Sequence, residues 1–362
     1  MRETAKTVHF FLGANGENGF VSHFAQLQNP YGNVRPIILK GGPGTGKSSL
    51  MRRIAEEYAE SETLLEQIHC SSDPDSLDGV VLTDCGAAIV DGTPPHTMEP
   101  KYPLAVEQIV NLLDCGNETK VRRHKGEIVS LSQIISGYHH KFCELLCCAN
   151  NLMEANRNMI RPFIDQEKMK KTVARMAKKE FRRKPTETDG EKTRLLSAFT
   201  PHGLVTYEDT IRTLCSRVWF IHDEYRVCTP VLLGLLRDEL LERGYSFYSC
   251  YSAFKPETEL EALLIPELDL AFVTVNRFMM MDSIVPYKVM NVTRFIDLEI
   301  FRIKKQKLSF YRKTANELLR EGVRMLEKAK ETHDELEKLY IPNMDFNRME
   351  DKYKQIKLQI AN

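Results

Sequence analysis

Apolar residues fall in two rhythms along this chain. Short unbroken runs such as "VRPIILK" (34–40), "QIHC" (67–70), "GAAIVDG" (86–92) and "LDLAFVTV" (268–275) have the continuity of strands buried in a parallel sheet. Between them the spacing changes to three and four. Leu50, Met51, Ile54, Ala55 and Tyr58 make one helical stripe, and Leu232, Leu233, Leu236 and Leu240, in and after "PVLLGLL", make another. Strands alternating with helices predict an α/β fold, a parallel sheet with flanking helices. Two stretches, roughly 121–183 and 299–359, are charged and helical throughout. In the second, Phe310, Leu318, Val323, Leu326 and Leu336 stand among many charges, the pattern of a long amphipathic helix. Pro162 and Pro342 are the expected bends of a two-helix hairpin in each stretch.

The two rhythms occur twice. With residue 38 over residue 220, "ILKGGPGTGKSSLM" lies above "FIHDEYRVCTPVLL" without a gap, and the two helical stripes coincide. "HCSSDPDS" then lies over "YSAFKPET", so that Pro74 meets Pro256. One inserted residue later, "AAIVDG" lies over "LAFVTV". Upstream "NGFVS" matches "HGLVT", and downstream "PFIDQEKM" matches "PNMDFNRM". The chain therefore divides into two repeats, 1–183 and 192–362, each ending in its helical appendage, with 184–191 as linker. Packing of the repeats on one another is the expected intramolecular contact, and the appendages are candidate surfaces for a protein partner.

Composition narrows the setting without naming a chemistry. The 362 residues carry 50 basic and 50 acidic side chains, so no global field points to nucleic acid. The basic run "KMKKTVARMAKKEFRRK" has few aromatics and reads as a solvated helix face rather than a nucleic-acid contact. No apolar run reaches the length of a membrane span, and the first residues, "MRETAKTVHFF", lack the apolar core of a secretory leader. Nine cysteines without a CxxC pair suggest reduced thiols, hence a cytoplasmic setting. His139, Cys143 and Cys147 follow helical spacing and could line one face as metal ligands, although no fourth ligand is evident.

The sharpest chemistry lies in "KGGPGTGKSSL" (40–50), which satisfies G-x-x-x-x-G-K-[ST] between a predicted strand and a predicted helix. In that setting Gly42, Pro43, Gly44, Thr45, Gly46, Lys47, Ser48 and Ser49 surround a phosphate group, the glycines letting backbone N–H groups turn inward, and the helix start adds its positive dipole end. Lys47 can reach the outer phosphates and Ser48 can ligate Mg²⁺. Asp91, ending the "GAAIVDG" strand, is the candidate second metal carboxylate. Asp73, in "IHCSSDPDSLDG" after the "QIHC" strand, is the candidate for orienting or deprotonating a nucleophile; capping a turn before Pro74 is the competing role. His96 in "DGTPPH" could contact phosphate or simply close a loop.

The second repeat has lost these groups together. Asp223 and Glu224 replace Gly41 and Gly42, Cys228 replaces Gly46, Thr229 replaces Lys47 and Pro230 replaces Ser48; Lys255 and Thr274 stand for Asp73 and Asp91. Two carboxylates where polyphosphate would lie disfavour it strongly, since each like-charge pair 4 Å apart costs about 4 kcal/mol at an effective dielectric of 20. Arg226 is the nearest cation that could reach across from this repeat.

The segments "GGPGTGKSSLM", "HCSSDPDSLDGVV", "AIVDGTPPH" and "MEPKYPLAVEQIV" resemble a bacterial family of tandem P-loop proteins described as predicted ATPases, with "HCSSDPDSLDG" the most specific mark. The resemblance spans essentially the whole chain. It implies two P-loop NTPase-like domains in one polypeptide and ATP as the nucleotide; the family leads one to expect a second recognisable loop, from which "HDEYRVCTP" departs. The expectation is thus an ATP- and Mg²⁺-binding site in the first repeat, with slow hydrolysis and catalytic roles for Lys47, Asp73 and Asp91. A kinase passing the γ-phosphate to a small acceptor, and a nucleotide-gated interaction module, are the alternatives.

Overall fold

The computed structural model describes residues 6–29, 32–60, 62–181 and 190–361. Most of the expected linker, 184–189, lies outside them. The first half contains strands β1 (Lys6–Phe10), β2 (Gly13–Gly16), β3 (Gly19–Ser22) and β4 (Arg35–Lys40), helix α1 (Lys47–Tyr58), then β5 (Leu64–His69), β6 (Leu77–Leu82), β7 (Ala87–Asp91) and β8 (Gln108–Asn111). Helices α2 (Glu118–Arg122), α3 (Lys125–Ile160) and α4 (Gln166–Glu180) follow. The second half contains β9 (Glu191–Arg194), β10 (Ser197–Thr200), β11 (Gly203–Thr206), α5 (Glu208–Leu214), β12 (Arg217–His222), α6 (Thr229–Glu242), β13 (Phe247–Ser252), β14 (Lys255–Ile265), β15 (Leu270–Val275) and β16 (Lys288–Asn291). It ends in α7 (Glu299–Ile303), α8 (Lys305–Tyr340) and α9 (Phe346–Ala361).

Each half is built on a six-stranded sheet, in the order β1-β5-β6-β7-β4-β8 and, mirrored in the chain, β9-β13-β14-β15-β12-β16. The same strand positions pair in the same sense, so the two halves are similar folds. The expected parallel sheet is in fact mixed: β6 and β14 run antiparallel to both neighbours. Their short connections explain this, because the few residues between β5 and β6, or between β6 and β7, permit only a hairpin return. In β14, "KPETELEALLI" is rich in helix formers, and it is sheet burial on both faces that overrides local preference there. Register fixes the internal equivalence: Leu39 faces Asp91 and Ile221 faces Thr274, so Asp91 and Thr274 are counterparts. The equivalences of Pro74 with Pro256 and of Asp73 with Lys255 do not hold. β13 starts 183 positions after β5 while β12 starts 182 after β4, so the inserted residue precedes β5; Pro74 lies in a turn and Pro256 inside β14.

Where the halves meet, Phe11 and Leu195 exchange backbone hydrogen bonds of 2.9 and 3.0 Å. β2 and β3 match β10 and β11 at a shift of 184, which makes Phe11 and Leu195 one position seen twice. A pseudo-two-fold axis therefore passes between them, the geometry of an isologous dimer fused into one chain. Beside it, Arg194 reaches Glu66 at 2.7 Å and Tyr248 donates to the same carboxylate at 2.9 Å, all three buried.

The helical appendages form the expected hairpins, bending at Arg161–Phe163 and Ile341–Asn343. Helices α3 and α8, each 36 residues and so about 54 Å long, pack along one another. Their second arms cross over. Val173, Met176 and Ala177 of α4 lie in a core with Leu232, Leu236 and Phe272 of the second half. Reciprocally, Met349, Tyr353, Ile356 and Ile360 of α9 complete a core with Ile37, Leu50, Met51 and Ile89 of the first half. The buried stripe Met169, Val173, Met176 on α4 is also why its lysines point outward: the basic run is the solvated face of a packed helix. Among the described residues no helix is long and apolar enough to cross a membrane.

Candidate functional site

The loop 41–46 joins the carboxyl end of β4 to the first turn of α1, at the edge where the parallel strands end. Gly44 and Gly46 have φ of +66° and +83°, a region that an L side chain enters only with strain. No side chain caps α1. Thr45 turns its hydroxyl back onto the Gly42 carbonyl at 2.8 Å. Lys47 donates to the carbonyls of Gly41 and Gly42, each at 2.8 Å, and its ammonium lies 3.5 Å from Asp91 Oδ2. Two hydrogen bonds and one longer ion contact thus hold its ammonium within the site. Pro43, Ser48 and Ser49 lie on the same loop and first turn, and Ser48 Oγ accepts from the Leu77 amide at 2.9 Å.

Asp91 is 8 % exposed, and burial holds its pKa above the usual carboxylate range despite the nearby Lys47. Its Oδ1 accepts from the amide (2.8 Å) and hydroxyl (2.6 Å) of Thr93. Sequence reasoning brought Lys47 and Asp91 together correctly in space. Of the three carboxylates that follow "QIHC", Asp73, Asp75 and Asp78, it favoured Asp73 and expected all three in a loop, whereas Asp78 lies in β6. The antiparallel pairing of Gly79 with Val90, continued by one pair, sets Asp78 opposite Asp91, and the two carboxylates act on each other. His96 closes the group, with Nε2 2.9 Å from Asp78 Oδ2. Burial opposes the charged imidazole, but the Asp78 carboxylate more than offsets it and raises the His96 pKa. The strand register carries this information; spacing in the sequence does not.

Asp73, the expected nucleophile-orienting group, has other partners. It accepts from the Ser76 hydroxyl at 2.9 Å, its carbonyl closes the turn to the Ser76 amide, and Lys330 of α8 lies 3.5 Å away. That is the turn-capping role, with an ion pair to the opposite repeat added. His139, Cys143 and Cys147 do not converge: Cys143 packs beside Phe142 and Leu146 in an apolar cluster. Among the described residues, the groups whose ligand atoms come within 4.8 Å of one another are Cys70, Asp78 and His96, and His333, Asp334 and Glu337.

The cover over the loop comes from the other half. Glu337 of α8 accepts from the Gly44 amide at 3.1 Å. A Cβ on Gly44 would stand 2.8 Å from Ile341, one on Gly42 would meet Tyr340, and one on Gly46 would meet Met349. Small loop residues therefore serve the contact with α8 and α9 as well as the turn. Arg53 anchors the lid, bonded to Glu350 and stacked 3.7 Å from the Tyr353 ring.

The counterpart loop of the second half carries its own anion. Asp223 Oδ2 accepts from the amides of Cys228 (2.7 Å) and Thr229 (2.8 Å) and from the Thr229 hydroxyl (3.2 Å). A side-chain carboxylate fills the helix start. Glu224 is neutralised by Arg277 and Arg312. Arg226, the cation considered as reaching across, is buried 2.6 Å from Glu259. A cavity of about 940 Å³ remains beyond the ends of β12, β15 and β16, lined in part by Tyr225, Arg277, Phe301 and Arg312. Comparison with protein families, with curated proteins and with solved structures finds no match to the chain.

Proposed function

We propose that the first half is a P-loop module that binds ATP with Mg²⁺ and hydrolyses it slowly, while the second half is an inactive structural partner. The observation that carries this reading is the placement of a glycine loop, with two left-handed glycines, between a strand end and an uncapped helix start, with Lys47 3.5 Å from Asp91. Phosphate oxygens would exchange for the Gly41 and Gly42 carbonyls as acceptors of Lys47, and for Glu337 at the Gly44 amide. The donor set suits Mg²⁺: Ser48 offers a hydroxyl oxygen with one lone pair in use and Asp91 a carboxylate whose Oδ2 makes only the long contact to Lys47. When bound, that ion neutralises charge developing on the phosphates. Asp78 faces Asp91 across the strands and adds a second carboxylate beside the site.

A second reading, a nucleotide-gated module, is favoured by the Glu337–Gly44 bond, since the occupied loop must part from a helix of the other half. Calorimetry with Mg-ATP on the parent and Lys47→Ala tests the site: the parent binds one nucleotide and the variant loses at least 100-fold in affinity. Retained affinity in the variant overturns the assignment. Phosphate release without added acceptor separates hydrolysis from transfer to an acceptor, and binding with only trace release points to gating.

A further inference from the structure

We propose that Cys70, Asp78 and His96 form a site for a borderline transition-metal dication of the zinc or cobalt class, with three protein ligands and one open position. The residues come from two stretches that stood out in the sequence, "HCSSDPDSLDG" and "DGTPPH". Cys70 follows the end of β5, Asp78 is the second residue of β6, and His96 sits in the loop after β7. A register shift between Ile68 and His69 bends the end of β5 against β6, which brings the thiol to the carboxylate. The sulfur, carboxylate oxygen and imidazole nitrogen all lie within 4.8 Å of one another. Bonds of about 2.0–2.3 Å in a tetrahedral site leave ligand atoms roughly 3.3–3.7 Å apart, so closing on an ion takes small side-chain shifts only.

Three observations point to an ion rather than a self-sufficient polar cluster. Asp78 and His96 are each 4 % exposed and hold one another at 2.9 Å, yet His96 Nδ1 and the fully buried Ser71 Oγ next to Cys70 make no hydrogen bond. Orphaned buried polar atoms are rare, and two beside one cluster of metal-ligating side chains point to a bound species. Charge closes the account: one thiolate, one carboxylate and a neutral imidazole cancel a dication, which burial requires. Sulfur and imidazole donors select zinc-like ions and discriminate against Mg²⁺, whose place is the all-oxygen pair Ser48 and Asp91. Finally, the second half replaces the set as a group. The shift of 183 that relates β6 to β14 and the turn Thr93–His96 to Asn276–Met279 puts Ala253, Glu261 and Met279 at these positions. Two of three donors are gone where the glycine loop is gone too.

Cobalt(II) titration of the full chain under reducing conditions tests this. The parent should take up one equivalent with a near-ultraviolet thiolate-to-cobalt charge-transfer band and tetrahedral visible bands, displaced by zinc. Cys70→Ser should lose the charge-transfer band, and His96→Ala should weaken cobalt at least tenfold, while Cys143→Ser keeps both. Lys47→Ala should also keep both, so that failure of the nucleotide reading and failure of this one are told apart. No charge-transfer band in the parent, or its persistence in a folded Cys70→Ser protein, overturns the proposal.

Discussion

Glu337 is the residue at which the two halves of the molecule meet the glycine loop, and its replacement gives a quantitative test. A phosphate oxygen taking the Gly44 amide would stand where Glu337 Oε1 now accepts at 3.1 Å, so the carboxylate must withdraw. Withdrawn to about 4 Å from a phosphate charge, it is repelled by about 4 kcal/mol at an effective dielectric of 20. Glu337 is only half-buried, and its side chain can rotate towards water, which leaves roughly 1–2 kcal/mol. Glu337→Gln removes the charge and keeps the shape; it should tighten Mg-ATP binding about 5- to 30-fold. Glu337→Ala removes the side chain beyond Cβ as well and should tighten binding at least as much, because the acceptor now on the Gly44 amide goes with the charge. Calorimetry at fixed, moderate salt measures both, and the Gln effect should shrink as salt rises. Unchanged or weakened binding in both variants refutes the picture of a carboxylate competing for the phosphate position. A gain in Ala alone shows that bulk, not charge, is what restrains the loop.

Three further outcomes follow from buried groups elsewhere. Asp223→Ala removes the carboxylate bonded to the Cys228 and Thr229 amides and should cost about 2 kcal/mol in urea unfolding, whereas Thr229→Lys alone should create no second nucleotide site because Asp223 still fills the helix start. His69 gives a pH dependence: burial lowers its pKa from 6.5 to about 4, its Nδ1 lies 2.8 Å from the Pro74 carbonyl, and its Nε2 lies 2.9 Å from His9 Nδ1. Since the folded state binds fewer protons than the unfolded state between those values, stability is full above pH 6.5 and falls as the pH drops towards 4, by at most about 3 kcal/mol. Unfolding curves at pH 7.5 and 5 should show this loss in the parent and much less of it in His69→Gln; equal acid sensitivity would remove His69 as the cause.

What the linear chain determined is everything set by neighbours along it. The apolar run 35–40, the glycines whose φ must be positive, and the stripe from Leu50 to Tyr58 define a strand, a turn and a helix through local sterics and periodicity, so Lys47 could be placed without any tertiary contact. Asp91 was legible for the same reason, as the first polar residue after a buried run. The repeat was legible because both copies obey the same local rules, and it correctly paired Asp91 with Thr274. Tertiary structure decided the rest. Asp78 and His96 join the site through the register of an antiparallel strand, and a shift of one residue would have turned Asp78 to the other face. Asp73, first in its loop by sequence, is drawn to Ser76 and Lys330 instead. The exchange of α4 and α9 between halves leaves no mark on the sequence, since an amphipathic stripe records that a face is buried and not which sheet buries it; only the crossing of α3 and α8 set Glu337 over Gly44.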